Sequence, residues 1–329
     1  MFFITNRRML GGQRSQAGRR LRFDPADSDP SPSLFFAERR GRDDYVELTS
    51  IPFFNALRKS PRAQLLFYLH GFNSQPEPDI FPTAESLQRY LDQLTGSQVE
   101  VVPLVWPNDD DFGIIRDYFD DQDAAEMSGF AFARVLGKFL DWRARLPAHA
   151  PCLKHVNLLA HSMGNRVLRF ALAKWRRDRG EPPALFRSVF MVAADVANES
   201  LEPGEPGYAI TRAARNVVVY YAADDFALRS SKVANLRNKI VSRRLGHSGP
   251  EDLARTPDNV FAVDCDAVND RYDRLGHTYF LGDERGRPGA VIAHIAATLM
   301  TGRPPGFDDG KRRFRLPADF AQRALAQAA

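Results

Sequence analysis

The chain has 329 residues, 44% hydrophobic and 26% charged, with a net charge of +4. This balance excludes a disordered chain, a collagen-like fibre and a disulfide-stapled miniprotein, and a chain of this length can bury a core unaided. No apolar run approaches the ~18–20 residues that cross a bilayer, and the Met1–Arg8 opening is too short, with its arginines on the wrong side, for a secretory leader, so a soluble, cytoplasmic protein is expected.

In chain order, Arg7, Arg8, Arg14, Arg19, Arg20 and Arg22 all precede the first acid, Asp24. The cluster reads either as a basic arm for nucleic acid or anionic lipid, or as a solvated segment. With Phe23 its nearby aromatic and no nucleic-acid signature after it, the solvated reading is expected, and no nucleic-acid partner. Residues 24–34 (DPADSDPSPSL) read as a loop, so 1–43 form an N-terminal extension or an edge strand plus loop. Short, near-continuous apolar runs follow at Leu65–Leu69, Val99–Trp106, Val156–Ala160, Ser188–Ala193, Val217–Ala222 and Val260–Val263. Runs without alternation suit strands buried on both faces of a parallel sheet. Between them, Thr83–Leu94, Ala124–Leu146, Asn165–Arg177, Ser230–Ile240 and Ala290–Met300 carry apolar residues at helical spacing. Strand and helix alternate, which predicts an α/β fold with a mostly parallel central sheet flanked by helices, binding its ligand beyond the carboxyl ends of the strands. Residues 303–329 read as a C-terminal tail. Cys152 and Cys265 form no zinc-type pair and no disulfide framework.

The strand ending in Ala160 runs into His161-Ser162-Met163-Gly164, and a helix begins at about Asn165. Small-x-Ser-x-small between a strand and a helix is a nucleophile elbow, with alanine in place of the usual first glycine. The turn is sharp, so the residues two before and two after the serine must be small. The hydroxyl of Ser162 then stands above the sheet, and the N–H of Met163 points where an oxyanion would form.

The elbow resembles that of the α/β-hydrolase superfamily. The text LLAHSMGNRVLRFAL, the opening FFITNR and the segment LHGFN are similar to a bacterial branch of serine hydrolases whose physiological function is unassigned. The resemblance covers roughly residues 1–300 and implies one α/β-hydrolase domain over 1–302. It also implies an oxyanion loop after the third strand, here His70-Gly71-Phe72-Asn73. Phe72 would give the second oxyanion N–H, Gly71 would admit the backbone, and His70 and His161 would be supporting rather than catalytic.

In this fold the order along the chain is Ser, acid, His. The strand Val217–Tyr221 leads to Asp224 and Asp225. The branch pattern resembles Asp-x-Ala-Leu-x-x-Ser or a one-residue variant, which selects Asp225 before Phe226-Ala227-Leu228, with Ser230 and Ser231 following. Asp224 and Asp195 are alternative acids. The base should lie on a loop after the last strand, where His277 stands in an H-x-Y context like that of the branch. His247 precedes that strand, His294 lies within a helix, and His149 and His155 precede the nucleophile. The stretch 106–123 (WPNDDDFGIIRDYFDDQD) is acidic and aromatic, and reads either as a lid or as a surface loop and helix start. Its aspartates lack the glycine and glutamate of a calcium hand, and nothing in the sequence resembles a phosphate-cradling glycine loop or a dinucleotide fingerprint, so neither a metal nor a cofactor is expected.

The expected function is a serine hydrolase cleaving a carboxylic ester or related acyl bond through an acyl-enzyme. Ser162 would be the nucleophile, His277 the base and Asp225 the acid, with a small-molecule acyl substrate. Thioesterase, amidase or acyltransferase activity would use the same residues. A non-catalytic binding module would show a missing member of the set, and here all three are present.

Overall fold

The computed structural model describes residues 1–108, 116–225, 243–271, 276–283, 285–307 and 310–328. In chain order the elements are β1 (Phe2–Arg7), β2 (Arg20–Leu21), β3 (Pro30–Gly41), β4 (Asp44–Glu47), α1 (Ser50–Lys59), β5 (Gln64–Leu69), α2 (Phe81–Thr95), β6 (Val99–Val105), α3 (Arg116–Ala144), β7 (His155–His161), α4 (Gly164–Arg179) and β8 (Phe186–Val192). They continue with α5 (Tyr208–Ala213), β9 (Ala214–Tyr221), the short α6 (Leu245–Ser248), β10 (Val260–Asp264), α7 (Ala290–Thr301), β11 (Arg313–Arg315) and α8 (Phe320–Ala328). The expected helix Ser230–Ile240 lies outside the described residues, as does 109–115 of the acidic stretch.

One sheet takes the order β11-β10-β9-β8-β7-β5-β6-β1-β3-β4-β2. From β11 to β1 every neighbouring pair is parallel. The edge from β3 through β4 to β2 is antiparallel. The unbroken apolar runs follow from this topology, because helices cover both faces. Leu65, Phe67 and Leu69 of β5 join Phe53, Phe54, Phe139 and Trp142 in one core. Leu66 and Tyr68, pointing the other way, join Phe81, Leu87, Ile292 and Leu299 in the second. Burying each such side chain contributes about 1.5–3 kcal/mol, so the two layers fix the register and hence where the strands end. Leu69 pairs with Ala160, and Ala160 with Met191, which brings the carboxyl ends of β5, β7 and β8 to one level.

Three segments differ from the sequence reading. Residues 30–34 begin β3 instead of forming a loop. β4 covers only Ala37–Gly41 of that strand, so Pro30 and Pro32 sit where a missing N–H costs no bond on the outer side. Arg7 is no part of a solvated arm. β1 lies between β3 and β6, which buries Phe3 through Arg7, and the Arg7 guanidinium donates to the carbonyls of Pro25 (2.7 Å) and Asp27 (3.0 Å). Arg8, by contrast, is exposed and pairs with Asp29. Finally, residues 303–329 carry β11, parallel to β10, and α8. His294 of α7 is packed: it accepts from Tyr220 Oη at Nδ1 (2.8 Å) and donates from Nε2 to Pro305 O (3.1 Å). No helix among the described residues is long and apolar enough to cross a membrane.

Candidate active site

β7 stops at His161 and α4 starts at Gly164, so Ser162 and Met163 make the whole turn. Ser162 has φ +51°, a region sparsely allowed for a residue with a Cβ. Hydrogen bonds hold it there. Its N–H donates to Val192 O (3.0 Å), and its carbonyl accepts the backbone N–H groups of Asn165 (3.1 Å) and Asp195 (3.2 Å). The Asn165 side chain adds Nδ2 bonds to Ser162 O (3.1 Å) and Ala160 O (2.9 Å). A Cβ at Gly164 would lie 2.5 Å from His70 O and 2.7 Å from Leu69 O, so the turn packs directly on the end of β5. That contact is the physical content of the small residue two positions after the serine. Ser162 itself is 7% exposed.

The loop after β5 lies against the elbow. A Cβ on Gly71 would sit 3.0 Å from Ser162 Cβ and 3.1 Å from His161 Nδ1, so glycine is what permits the approach. His70 is buried beneath the loop. Trp106 donates its backbone N–H to His70 Nε2 (3.1 Å), which assigns the ring proton to Nδ1, and Nδ1 bonds Gly71 O (2.9 Å). The Trp106 indole stacks on the ring at 5.0 Å and donates Nε1–H to His70 O. Burial lowers the His70 pKa to about 3, so the ring is neutral. Trp106 and Asn108, at the head of the stretch read as a lid or surface loop, are fully buried under this loop.

Of the three candidate acids, the structure brings Asp225 to His277, with Nδ1 2.8 Å from Asp225 Oδ2. Asp225 is fully buried and the His277 side chain is 16% exposed. Asp224 is exposed and accepts from Asn269 Nδ2. Asp195 is buried between Arg166 Nε (3.2 Å) and Arg244 Nε (3.1 Å), a bridge between α4 and the segment entering α6. Asp195 thus bridges two arginines, and the carboxylate that meets His277 is that of Asp225. The chain just after His277 is anchored in the core. Tyr279 and Phe280 are fully buried, and Tyr279 Oη donates to Tyr220 O (3.1 Å). His161, the residue before Ser162, packs its ring 4.8 Å from that of His277 and bonds His277 O through Nε2 (3.2 Å). Burial, with the neighbouring His277, holds His161 well below the ordinary histidine range. A donor Nε2–H is consistent with that neutral ring.

The expected site residues thus gather at one end of the sheet. Ser162 and Met163 stand on the elbow, Gly164 beneath it, His70, Gly71 and Phe72 on the adjoining loop, and His161, His277 and Asp225 alongside. The sequence reading missed Asn108 and Asn165, both fully buried. Asn108 Nδ2 donates to Gly71 O (3.0 Å), and its own carbonyl accepts from Gln75 Nε2 and Arg7 Nη1. A helix-opening asparagine directly after the elbow glycine was the one available signal, and Asn108 offered none. Among the described residues, no three His, Cys, Asp or Glu side chains are grouped to hold a metal ion.

The model of the family described as alpha/beta hydrolase of unknown function (DUF900) matches residues 49–289, and the chain belongs to that family. No curated protein matches it in sequence. Among solved structures, an esterase from Pyrobaculum calidifontis is similar at 15% identity over 72% of this chain and 76% of its own, with a TM-score of 0.36. A Trichoderma reesei cutinase, solved with a phosphonate inhibitor, is similar at 13% identity over 55% and 77%, with a TM-score of 0.30. Likenesses of this size carry no argument about site or substrate.

Proposed function

We propose that this α/β hydrolase is a serine esterase, cleaving a carboxylic ester through an acyl-enzyme on Ser162. The observation that carries the reading is the meeting of three things at one sheet end: a serine on a φ +51° turn, and a buried carboxylate 2.8 Å from the histidine that packs on its neighbour His161. A strained turn persists only where the surroundings hold it, and such turns concentrate at reactive sites.

The roles follow from the chemistry. Asp225 accepts the Nδ1 proton of His277, which leaves Nε2 as the basic nitrogen. Nε2 takes the proton of Ser162 as Oγ attacks the acyl carbon. The negative charge on the carbonyl oxygen is met by the N–H groups of Met163 and Phe72. Protonated Nε2 then passes its proton to the leaving alkoxide, and water repeats the sequence on the acyl-enzyme. The reading is tested by turnover of p-nitrophenyl acyl esters. Ser162→Ala is expected to lower kcat by about 10⁴-fold or more with the fold intact. Equal turnover in the variant would refute it.

A further inference from the structure

A peptide group is planar and trans, so its C=O and the N–H bonded to it point in opposite directions. Whatever holds the carbonyl aims the N–H. The carbonyl of Gly71 accepts Asn108 Nδ2–H (3.0 Å) and His70 Nδ1–H (2.9 Å), and the N–H of that same peptide belongs to Phe72. The carbonyl of Ser162 accepts Asn165 Nδ2–H (3.1 Å) besides two backbone N–H groups, and the N–H of that peptide belongs to Met163. Two asparagines from different parts of the chain thus stand behind the two peptides that meet at the serine.

We propose that Asn108 and Asn165 are the positioning residues of the oxyanion hole, each aiming one of its two N–H donors by holding the carbonyl of the same peptide group. The inference rests on the serine-esterase reading and adds to it the parts that set the hole's geometry. Carbonyl oxygens are the partners in both cases, so the amide orientation is fixed: a flip would set Oδ1 against another oxygen. In both residues Oδ1 is buried and has no hydrogen-bond partner among the described residues. Each side chain is therefore held for its donors alone, at the cost of an unpaired buried acceptor. Asn165 is placed by the first turn of α4. Asn108 is placed by Gln75 and Arg7, which bind its main-chain carbonyl. A donor aimed before the substrate arrives needs no reorganisation when charge develops on the oxygen.

The test compares a carboxylic ester with the matched thionoester, in which sulfur replaces the carbonyl oxygen. Sulfur accepts N–H bonds poorly, so a working hole favours the oxygen ester. In Asn108→Ala and Asn165→Ala the oxygen-to-sulfur rate ratio is expected to fall by about 10–100-fold, less than the ~10²–10³ for losing a donor outright, with kcat reduced and KM little changed. A merely structural role would lower the melting temperature or the active fraction and leave the ratio alone. Where an alanine variant fails to fold, the near-isosteric Asn→Leu variant, which has no donors, takes its place. Folded variants that keep the wild-type ratio would overturn the proposal while wild-type turnover leaves the esterase reading standing. A wild-type protein that hydrolyses neither ester would overturn both.

Discussion

The two turns that meet at Ser162 are built in opposite ways. The β7–α4 elbow is local: two residues, a left-handed serine, and bonds to Asn165 just beyond it and to the end of the neighbouring strand. The β5 loop is not followed directly by an α-helix, and it is held from afar. Trp106 and Asn108 support it from some 36 and 37 positions later, and Arg7 braces Asn108 from 101 positions earlier. The elbow takes part of its geometry from its own residues and Asn165 and part from the end of β8, while the loop takes most of its support from the segment that follows β6. A short motif can therefore specify the first but never the second, and damage to the N-terminal strand β1 should be felt at the second alone.

The largest effect should come from the pair that neither turn supplies. Asp225→Asn, which leaves the histidine in the wrong tautomer, is expected to reduce kcat by about 10³–10⁴-fold with little change in melting temperature. Asp195→Asn should do the reverse. It leaves two buried arginines without their shared counter-charge, a loss of about 3–5 kcal/mol of stability, with kcat per folded chain largely retained. Steady-state kinetics and thermal melts on the two variants separate the roles, and a reversed pattern would exchange the two aspartates in the account.

Next in size is the contact between the turns. Gly164→Ala puts a methyl group into the carbonyls of Leu69 and His70, backbone that cannot swing aside, and should cost about 3 kcal/mol. Gly71→Ala meets Ser162 Cβ and the His161 ring at 3.0–3.1 Å, where a few tenths of an ångström of movement suffices. It should cost less stability than Gly164→Ala and more activity, because the movement is taken up at the serine. Denaturant titration beside ester turnover would show the ordering, and equal stability losses would break the proposed difference between the turns.

This contrast also explains how far the sequence could be read. Unbroken apolar runs announced the parallel strands, and small-x-Ser-x-small announced the elbow, because both are properties of neighbouring residues. The prolines at 30 and 32 misled, since they lie where β3 has no outer partner, a fact of sheet order rather than of local preference. Arg7 misled because an arginine in an arginine-rich stretch looks solvated until β1 is seen between two strands. Asp225 was separable from Asp224 only by resemblance, whereas in three dimensions one is buried at His277 and the other exposed on Asn269. Asn108 could not be read at all, because its task is defined by a carbonyl 37 positions away.

The smallest effect is one the two turns share. Each holds a buried neutral histidine, His70 in the loop and His161 in the elbow, with pKa values pushed below the ordinary value by burial. Unfolding lets both rings take up protons, so the unfolded state binds more protons below about pH 6.5 and stability falls as the pH drops from there toward the lowered folded values. At most the slope is ~1.4 kcal/mol per pH unit for each ring. Unfolding free energies of wild type and His70→Gln between pH 7 and 4 should differ in slope by about one proton, and identical slopes would mean that His70 is already charged in the folded protein.

The central claim is an activated Ser162, and the most direct measurement is intact mass after exposure to a fluorophosphonate. Wild-type protein should gain one adduct per chain and Ser162→Ala none. An adduct on the variant, or a folded wild type that gains none, would contradict the account.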